Sequence, residues 1–345
     1  MIRLKKQHPL YQADLERILA TEGLQALKNK KILITGATGL IGVCLIDALM
    51  LYNKQGANIQ IFAVGRNKEK AATRLGDYYQ DNHFFFIEQD VRQPLPPVEV
   101  DYIIPLASNT HPLAYSKYPI ETIEINIKGA EYALRKAEEC NATILYPSTV
   151  EVYGNAKGTD CFTEDYTGSL SLSTARSCYT ESKRVSEAMC QSYISEKGVK
   201  VKIVRLSRIF GPTVLDSDSK ASSQFLQKAL ANEDIVLKSK GEQFYSYTYV
   251  ADAVSAMLFV LLHGKIGESY NISVDKCNVH LREFAQMCAE SVNRKVVFDL
   301  PSETEMKGFS IATQAILDNK KILQLGWIPC YTMKDAITRT LEILR

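Results

Sequence analysis

The sequence has no marked excess of charge of either sign and no long apolar run. It contains 41 Lys and Arg against 39 Asp and Glu, and its basic residues form no block, so a nucleic-acid surface is disfavoured. No uninterrupted apolar run approaches the ~18 residues that a membrane span needs. The charged start, residues 1–6, lacks the apolar stretch of a signal peptide. We therefore expect a soluble cytoplasmic protein whose partners include neither nucleic acid nor a membrane.

Cysteine occurs without the spacing that disulfides or zinc sites need. The eight cysteines are scattered, with no CxxC pair and no histidine at ligand spacing. This pattern predicts reduced thiols and no metal site. The eight positions are Cys44, Cys140, Cys161, Cys178, Cys190, Cys277, Cys288 and Cys330.

Glycine, in contrast, recurs within a short stretch after the first predicted strand. The apolar segment Lys31–Thr35 runs into the glycine-rich turn Gly36–Gly42 and then into the helical segment Val43–Leu51. Glycines three residues apart between a strand and a helix are typical of a dinucleotide-binding turn, in which the helix N-terminus faces the diphosphate. The candidate cofactor contacts in this turn are Gly36, Thr38, Gly39, Leu40, Ile41 and Gly42.

The second predicted strand ends in a basic residue, whereas NAD-binding proteins usually carry an acidic one there. Ile59–Val64 is followed by Gly65 and Arg66, and a guanidinium suits the 2′-phosphate of NADP. The cofactor is therefore NAD or NADP, with Arg66 favouring NADP; stacking on adenine or exposure to solvent is the alternative for this side chain. Further candidate contacts are Asp90 (whose carboxylate can accept the adenine amino group) and Val91 after the third strand, Leu106, Ala107 and Ser108 at the end of the fourth, and Asn126 in the helical region 120–139.

A tyrosine and a lysine four residues apart, Tyr179 and Lys183, are the candidate catalytic pair. On a helix this spacing puts their Cβ atoms roughly 5–6 Å apart. An ammonium so near would lower the pKa of the tyrosine from about 10, and such a tyrosine can take a proton from a hydroxyl group near neutral pH. The same spacing is common among surface pairs, but the glycine-rich turn and the upstream pair Ser148-Thr149 favour catalysis.

Predicted strands and helices alternate as far as Gly211-Pro212, where the pattern changes. The alternation predicts an α/β fold, a Rossmann-type doubly wound parallel sheet with helices on both faces, followed by a smaller C-terminal α/β substrate lobe. We divide the chain into an N-terminal helical extension over 1–29, a dinucleotide-binding domain over 30–206 to which 245–272 returns, and a substrate lobe over 207–345. The extension has the spacing of an amphipathic helix packed on the domain, with a dimer or lid contact as the alternative.

Together these motifs resemble those of the extended short-chain dehydrogenase/reductases of the NAD-dependent epimerase/dehydratase family, which modify nucleotide sugars. The resemblance covers nearly the whole chain and rests on the glycine-rich turn, the stretch Ser148–Gly154, Tyr179 with Lys183, and the Gly-Pro after the sixth strand. The closest similarity is to UDP-glucuronate decarboxylases, through Asp165–Gly168 and Cys178–Glu187, followed by dTDP-glucose 4,6-dehydratases and 4-epimerases.

The resemblance implies a role for each residue around the catalytic pair. Tyr179 takes the proton of the sugar 4-hydroxyl while the C4 hydride moves to the nicotinamide. Thr149, with Ser148 beside it, hydrogen-bonds the same oxygen, and Lys183 binds the nicotinamide ribose and keeps Tyr179 acidic. Glu151 lies where dehydratases and decarboxylases place a carboxylate next to the transient 4-keto group; a solvated or salt-bridged carboxylate is the alternative.

Four positions depart from the family pattern. Val150 stands where dehydratases carry Asp and decarboxylases Ser, and Gln314 stands where decarboxylases carry an Arg that faces the substrate carboxylate. Tyr245 occupies the expected place of a diphosphate-binding Arg, and Arg208 that of an Asn, so we hypothesise that Arg208 has taken over the diphosphate contact. The candidate substrate contacts are Ser148, Thr149, Arg208 and Tyr245.

Three reactions share this catalytic core, and the departures favour the first. Epimerisation of a nucleotide sugar, by oxidation at C4, reorientation and hydride return, needs only Thr149, Tyr179 and Lys183. UDP-glucuronate decarboxylation is the second, and NADPH-dependent reduction of a nucleotide-linked keto sugar the third. A non-catalytic sensor of a dinucleotide or nucleotide sugar is the alternative from a different class. The resemblance also implies a homodimer through the helices at 120–139 and 178–197.

Overall fold

Seven parallel strands form the central sheet in the computed structural model, which describes residues 4–110, 112–156, 160–299 and 313–345. The strands of the chain are β1 (Lys31–Thr35), β2 (Gln60–Gly65), β3 (Phe84–Glu88), β4 (Tyr102–Pro105), β5 (Thr143–Thr149), β6 (Lys200–Leu206), β7 (Arg208–Phe210), β8 (Ile235–Leu237), β9 (Phe244–Tyr249), β10 (Ser269–Ile272), β11 (Asn278–His280), β12 (Val296–Phe298) and β13 (Gln314–Ala315). The order across the central sheet is β10-β6-β5-β4-β1-β2-β3. The predicted doubly wound parallel sheet is confirmed.

Helices cover both faces of this sheet, as the residues of β1 illustrate. The helices are α1 (Pro9–Leu19), α2 (Leu40–Lys54), α3 (Lys68–Leu75), α4 (Pro112–Lys117), α5 (Pro119–Cys140), α6 (Ser177–Lys197), α7 (Ala221–Leu230), α8 (Val250–His263), α9 (Leu281–Glu290), α10 (Lys320–Leu325) and α11 (Met333–Leu344). Side chains alternate between the faces of a strand, so Ile32 and Ile34 join the apolar core that holds α2 and α8, whereas Leu33 joins the core under α5 and α6. Every residue of β1 after Lys31 is buried, as a strand covered on both faces requires.

The later strands build two smaller sheets beside the central one. β9 pairs with β7, β11 and β13, and β8 pairs with β12. Of the segment 245–272, β9 therefore lies in a smaller sheet, while β10 is the edge strand of the central sheet. The division into functional domains stays a prediction.

The N-terminal helix α1 is fixed to the rest of the molecule by a buried carboxylate, that of Asp14. This side chain accepts hydrogen bonds from Tyr249 Oη at 2.6 Å, Tyr331 Oη at 2.8 Å and Arg339 Nε at 2.8 Å. A buried carboxylate is stable when hydrogen-bond donors surround it in this way. Helix α1 is therefore an integral, packed element of the fold, as the amphipathic spacing predicts.

The structure also bears on membrane-spanning helices, metal sites and disulfides. Among the described residues, no helix is both long and apolar enough to cross a membrane. The same residues contain no group of three or more His, Cys, Asp or Glu that could hold a metal ion. All eight cysteines are free thiols.

Candidate active site

The carboxyl ends of the parallel strands meet at one edge of the central sheet, and the predicted site residues lie along it. Strands β2 and β4 flank β1 on opposite sides, which makes a switch point of the kind where doubly wound sheets bind ligands. The glycine-rich turn follows β1, Arg66 follows β2, residues 106–108 follow β4, and Ser148 and Thr149 end β5. The fold thus brings motifs that are distant in sequence to a single edge.

The glycine-rich turn has the close packing and the uncapped helix N-terminus that suit a diphosphate. At Gly36, φ is +64° and a Cβ atom would lie 2.6 Å from the backbone nitrogen of Ala107; at Gly42 it would lie 2.6 Å from the carbonyl oxygen of Gly36. The N-cap of α2 is Gly39, and no side chain in the described part of the chain makes a capping hydrogen bond there. The first N–H groups of that helix and the helix dipole fit the diphosphate of a dinucleotide.

The other predicted residues of the turn help to fix its position. Thr38 Cγ2 lies 4.0 Å from where a Cβ atom of Gly65 would be, so the turn adjoins the end of β2. The carbonyl oxygen of Leu40 accepts a hydrogen bond from Thr213 Oγ1 at 2.7 Å, and Ile41 packs against the core. Their contact with a cofactor stays a prediction.

Arg66 is held in ion pairs at the end of β2. Its guanidinium pairs with Glu121, in the first turn of α5, and lies 3.9 Å from Asp90 Oδ2. Asp90 is bound more closely by Arg92, at 2.7 Å, and hydrogen bonds from Arg92 lower the pKa of the Asp90 carboxyl. A 2′-phosphate at Arg66, or an adenine at Asp90, would therefore have to compete with partners already present.

A chain of hydrogen bonds links the end of β4 to α5 and α6. Ser108 Oγ donates to Asn126 Oδ1 at 2.7 Å, and Asn126 Nδ2 donates to Ser182 Oγ at 2.8 Å. The backbone N–H of Ala107 donates to Thr35 Oγ1 at 3.2 Å. Asn126 is only 3% exposed, so it fixes the two helices relative to this edge of the sheet.

Leu106 and Val91 pack against neighbouring strands and helices. The N–H of Leu106 donates to the carbonyl oxygen of Thr35 at 3.2 Å. Val91 is buried against α5, where a Cβ atom at Gly129 would lie 3.4 Å from Val91 Cγ2. Since both side chains are apolar, we expect them to contact a cofactor only through the backbone or by van der Waals packing.

Thr149, Tyr179 and Lys183 come together at the end of β5. Helix α6 begins at Ser177, so Tyr179 and Lys183 lie one turn apart near its start. The Thr149 side chain is near enough to Tyr179 to lower the pKa of the tyrosine, and Lys183 Nζ donates to the carbonyl oxygen of Pro147 at 2.9 Å. None of the three candidates is more than 8% exposed. The structure thus brings together the groups that the motif spacing predicts.

The electrostatics of Tyr179 differ from the prediction. Burial raises the pKa of Tyr179 above its usual value, and the neighbouring Thr149 side chain opposes this rise only in part. Lys183 is not among the groups that lower this pKa here, because the lysine extends towards Pro147 and over Tyr146, 5.0 Å from the ring centroid. That Lys183 keeps Tyr179 acidic during the reaction stays a prediction. Burial also lowers the pKa of Lys183, to about 8.

Two residues that the sequence analysis missed, Arg176 and Tyr115, complete this part of the site. Arg176 Nη2 lies 3.2 Å from each carboxylate oxygen of Glu151, so Glu151 is salt-bridged. Tyr115 stacks on Tyr179 with ring centroids 4.9 Å apart, and Arg176 Cζ lies 5.8 Å from the Tyr115 centroid. Arg176 could have been found from its place one helical turn before Tyr179, whereas no local pattern marks Tyr115.

The substrate candidates include two buried polar atoms without partners among the described residues, Ser148 Oγ and Arg208 Nη1. The guanidinium carbon of Arg208 lies 3.5 Å from the ring centroid of Tyr245, so the two departures from the family pattern stack on each other. Gln314 donates to the carbonyl oxygen of Asp160. A buried guanidinium N–H without an acceptor fits an anionic ligand.

Known proteins resemble this chain over most of its length. The family model described as the NAD-dependent epimerase/dehydratase family matches residues 32–273. UDP-glucuronic acid decarboxylase 1 of Xenopus tropicalis is 30% identical over 318 residues, which cover 92% of this chain and 72% of that protein. UDP-glucuronic acid decarboxylase 6 of Arabidopsis thaliana is 34% identical over 313 residues, 90% of this chain and 87% of that protein.

Solved structures share the fold. The dTDP-glucose 4,6-dehydratase of Bacillus anthracis, in complex with NAD, superposes with a TM-score of 0.76 at 19% identity, covering 91% of this chain and 96% of that one. The UDP-glucuronic acid 4-epimerase of Bacillus cereus, in complex with UDP-glucuronic acid and NAD, has a TM-score of 0.75 at 20% identity, covering 91% and 98%. At these identities the likeness concerns the fold alone.

The lowered pKa of Lys183 predicts how stability depends on pH. The folded protein releases this proton near pH 8, whereas an unfolded chain keeps it up to about pH 10.4. Between these values the unfolded chain binds more protons, so the contribution of Lys183 to folding becomes more favourable as pH rises. We expect the unfolding free energy of wild type, relative to Lys183→Met, to increase between about pH 7.5 and about pH 9.5, as measured by urea denaturation.

The control is Lys197→Met, at the exposed end of the same helix. Its stability difference from wild type is expected to be independent of pH over this range. A difference for Lys183→Met that does not change with pH would contradict the lowered pKa.

Proposed function

Because the chain belongs to the NAD-dependent epimerase/dehydratase family, we propose that it transiently oxidises the C4 hydroxyl group of a nucleotide sugar. The observation that supports this reaction is the meeting of Thr149, Tyr179 and Lys183 beside a glycine-rich turn that fits a diphosphate. A bound nicotinamide dinucleotide would accept the hydride and return it, and the protein would handle the proton.

Thr149 and Tyr179 are the groups that we assign to the reacting hydroxyl. Thr149 is near enough to Tyr179 to lower the pKa of the tyrosine, so one sugar oxygen can contact both side chains. Tyr179 Oη takes the proton of the C4 hydroxyl and returns it when the keto group is reduced. Thr149, with Ser148 beside it, stabilises the negative charge that develops on that oxygen.

Lys183 is the group that we assign to charge balance. Burial raises the pKa of Tyr179, so a tyrosinate needs positive charge nearby. Lys183, with a pKa of about 8, holds its proton at neutral pH. We propose that its ammonium binds the cofactor ribose and supplies this charge.

Epimerisation is the net reaction that we propose. It requires the three groups above and no further acid or cation from the protein. Val150 is buried in the apolar core and has no proton to donate, and Gln314 is engaged with a backbone carbonyl. Loss of water or of carbon dioxide would need the groups that these two positions lack.

Decarboxylation of UDP-glucuronate is the second candidate. The relatives described above carry this name. Arg176, which is salt-bridged to Glu151, places a guanidinium near the catalytic tyrosine, and it could bind a substrate carboxylate in place of the Arg that Gln314 replaces. Reduction of a keto sugar with NADPH and non-catalytic sensing are the remaining alternatives.

Mass spectrometry of the products formed from a panel of nucleotide sugars, including UDP-glucuronate, tests the proposal. We expect a product of unchanged mass with a new chromatographic position. Loss of carbon dioxide would establish the second candidate instead.

Tyr179→Phe is expected to lower kcat by about 10²- to 10⁴-fold, whereas Tyr193→Phe, on the same helix, should retain the wild-type kcat. Absence of turnover, or full activity of Tyr179→Phe, would contradict the proposal.

A substitution at Arg208 tests how the nucleotide sugar is bound. We propose that it binds the diphosphate of the nucleotide sugar. Arg208→Met keeps much of the packing on Tyr245 but removes the charge, and should weaken UDP binding by roughly tenfold to a hundredfold, as measured by calorimetry. Arg294→Ala, at an arginine that hydrogen-bonds Asn232, is the control. Unchanged affinity in Arg208→Met would show that the assignment is wrong.

We also propose a homodimer through α5 and α6. These helices carry apolar side chains that are exposed in the single chain, Ile120 (75%), Ile123 (39%) and Val185 (44%), and such groups favour a protein partner. Light scattering at micromolar concentration should report two chains, and Ile120→Glu should shift the mass towards one. A wild-type monomer would contradict the proposal.

A further inference from the structure

The ion pair between Arg66 and Glu121 joins two elements at the edge of the central sheet. Arg66 directly follows β2, and Glu121 lies in the first turn of α5. The Arg66 side chain is 46% exposed and that of Glu121 27%, so both remain accessible to a ligand. An acidic residue in the first turn of a helix is also stabilised by the helix dipole. That stabilisation does not require a guanidinium partner.

The two other carboxylates nearby, Asp90 and Glu124, form ion pairs with a second arginine, Arg92. Arg92 lies 2.7 Å from Asp90 and 3.2 Å from Glu124. Asp90 is 3.9 Å from Arg66, a weaker contact than its bonds to Arg92. Glu121 is therefore the main carboxylate partner of Arg66 among the described residues.

A further cation, Lys70, lies near Arg66 on α3. The helix starts two residues after Arg66. Burial lowers the pKa of Lys70, and the charges of Arg74 and Arg66 lower it further. Within the described parts of the chain, no ion pair neutralises the Lys70 ammonium. This end of the site therefore combines a cationic pair, Arg66 and Lys70, with one carboxylate, Glu121, that opposes an incoming anion.

The end of the second strand in a doubly wound sheet is where the adenosine ribose of a dinucleotide binds. NAD presents a neutral 2′-hydroxyl there, and NADP a phosphate. A phosphate that approaches Arg66 must displace the Glu121 carboxylate and is repelled by it, whereas a hydroxyl can donate a hydrogen bond to a carboxylate. The interaction with Glu121 is therefore repulsive for the phosphate of NADP and favourable for the hydroxyl of NAD.

We propose that Glu121 is a specificity-determining residue: by pairing with Arg66, it lowers the affinity for NADP relative to that for NAD. This inference rests on the proposed function only in requiring that a nicotinamide dinucleotide binds at this edge. It also reconciles Arg66, which by itself favours NADP, with a family whose description names NAD.

The test is the ratio of the dissociation constants of NADPH and NADH for wild type and for Glu121→Gln. Both constants are measured by fluorescence titration of protein freed of co-purified nucleotide, without any sugar. Glu121→Gln keeps the side-chain size but removes the charge, so the ratio should shift towards NADPH by about tenfold, equivalent to about 1.4 kcal/mol. The shift should decrease at high salt because the groups are partly exposed.

Two controls separate this effect from a general one. Glu131→Gln lies on the same helix and removes a carboxylate that pairs with Arg135, so it should leave the ratio unchanged. In an Arg66→Met background the shift caused by Glu121→Gln should be smaller, because no guanidinium is released. An equal shift in that background would overturn the role of the pair.

The outcomes distinguish this inference from the proposed function. If both cofactors bind and Glu121→Gln leaves their ratio unchanged, this inference is wrong and the proposed function stands. If neither cofactor binds to wild type, both are wrong. A shift towards NADPH in Glu121→Gln, reduced in the Arg66→Met background, supports the inference whichever sugar is later found.

Discussion

The hydrogen bond from the buried ammonium of Lys183 to the carbonyl oxygen of Pro147 is the interaction on which the rest of the site depends. Pro147 belongs to β5, two residues before Thr149, and Lys183 lies one helical turn after Tyr179. A single contact therefore sets α6 against β5 and brings Tyr179 to Thr149. Burial of the ammonium is unfavourable, as its lowered pKa indicates, and the carbonyl oxygen and the ring of Tyr146 offset this cost.

Charge is balanced differently at Arg66 and Arg176 than at Arg208. Arg66 and Arg176 each form an ion pair, with Glu121 and Glu151 respectively, so an anionic ligand at either place must compete with a carboxylate. Arg208 instead stacks on an aromatic ring, and its buried Nη1 has no hydrogen-bond partner among the described residues. An anion at Arg66 or Arg176 would have to displace a carboxylate, whereas an anion at Arg208 would meet an unopposed guanidinium, so the two places would select ligands in physically distinct ways.

Local sequence patterns predict the fold, the glycine-rich turn and the Tyr179–Lys183 pair, because each of these depends only on elements that are neighbours in the chain. The turn Gly36–Gly42 needs only a strand before it and a helix after it, and the spacing of Tyr179 and Lys183 needs only a helix. The partner of Arg66 could not be predicted in this way, because Glu121 reaches it from a helix much later in the chain. The direction in which Lys183 extends was missed because spacing fixes Cβ positions but not rotamers.

The central claim is that the C4 hydride leaves the sugar and is returned to it. The measurement that tests this most directly is single-turnover kinetics with a nucleotide sugar deuterated at C4, with mass analysis of the product. The account predicts slower turnover than with the unlabelled sugar and retention of the deuterium in an epimerised product. Equal rates, together with a product whose C4 hydrogen comes from solvent, would contradict it.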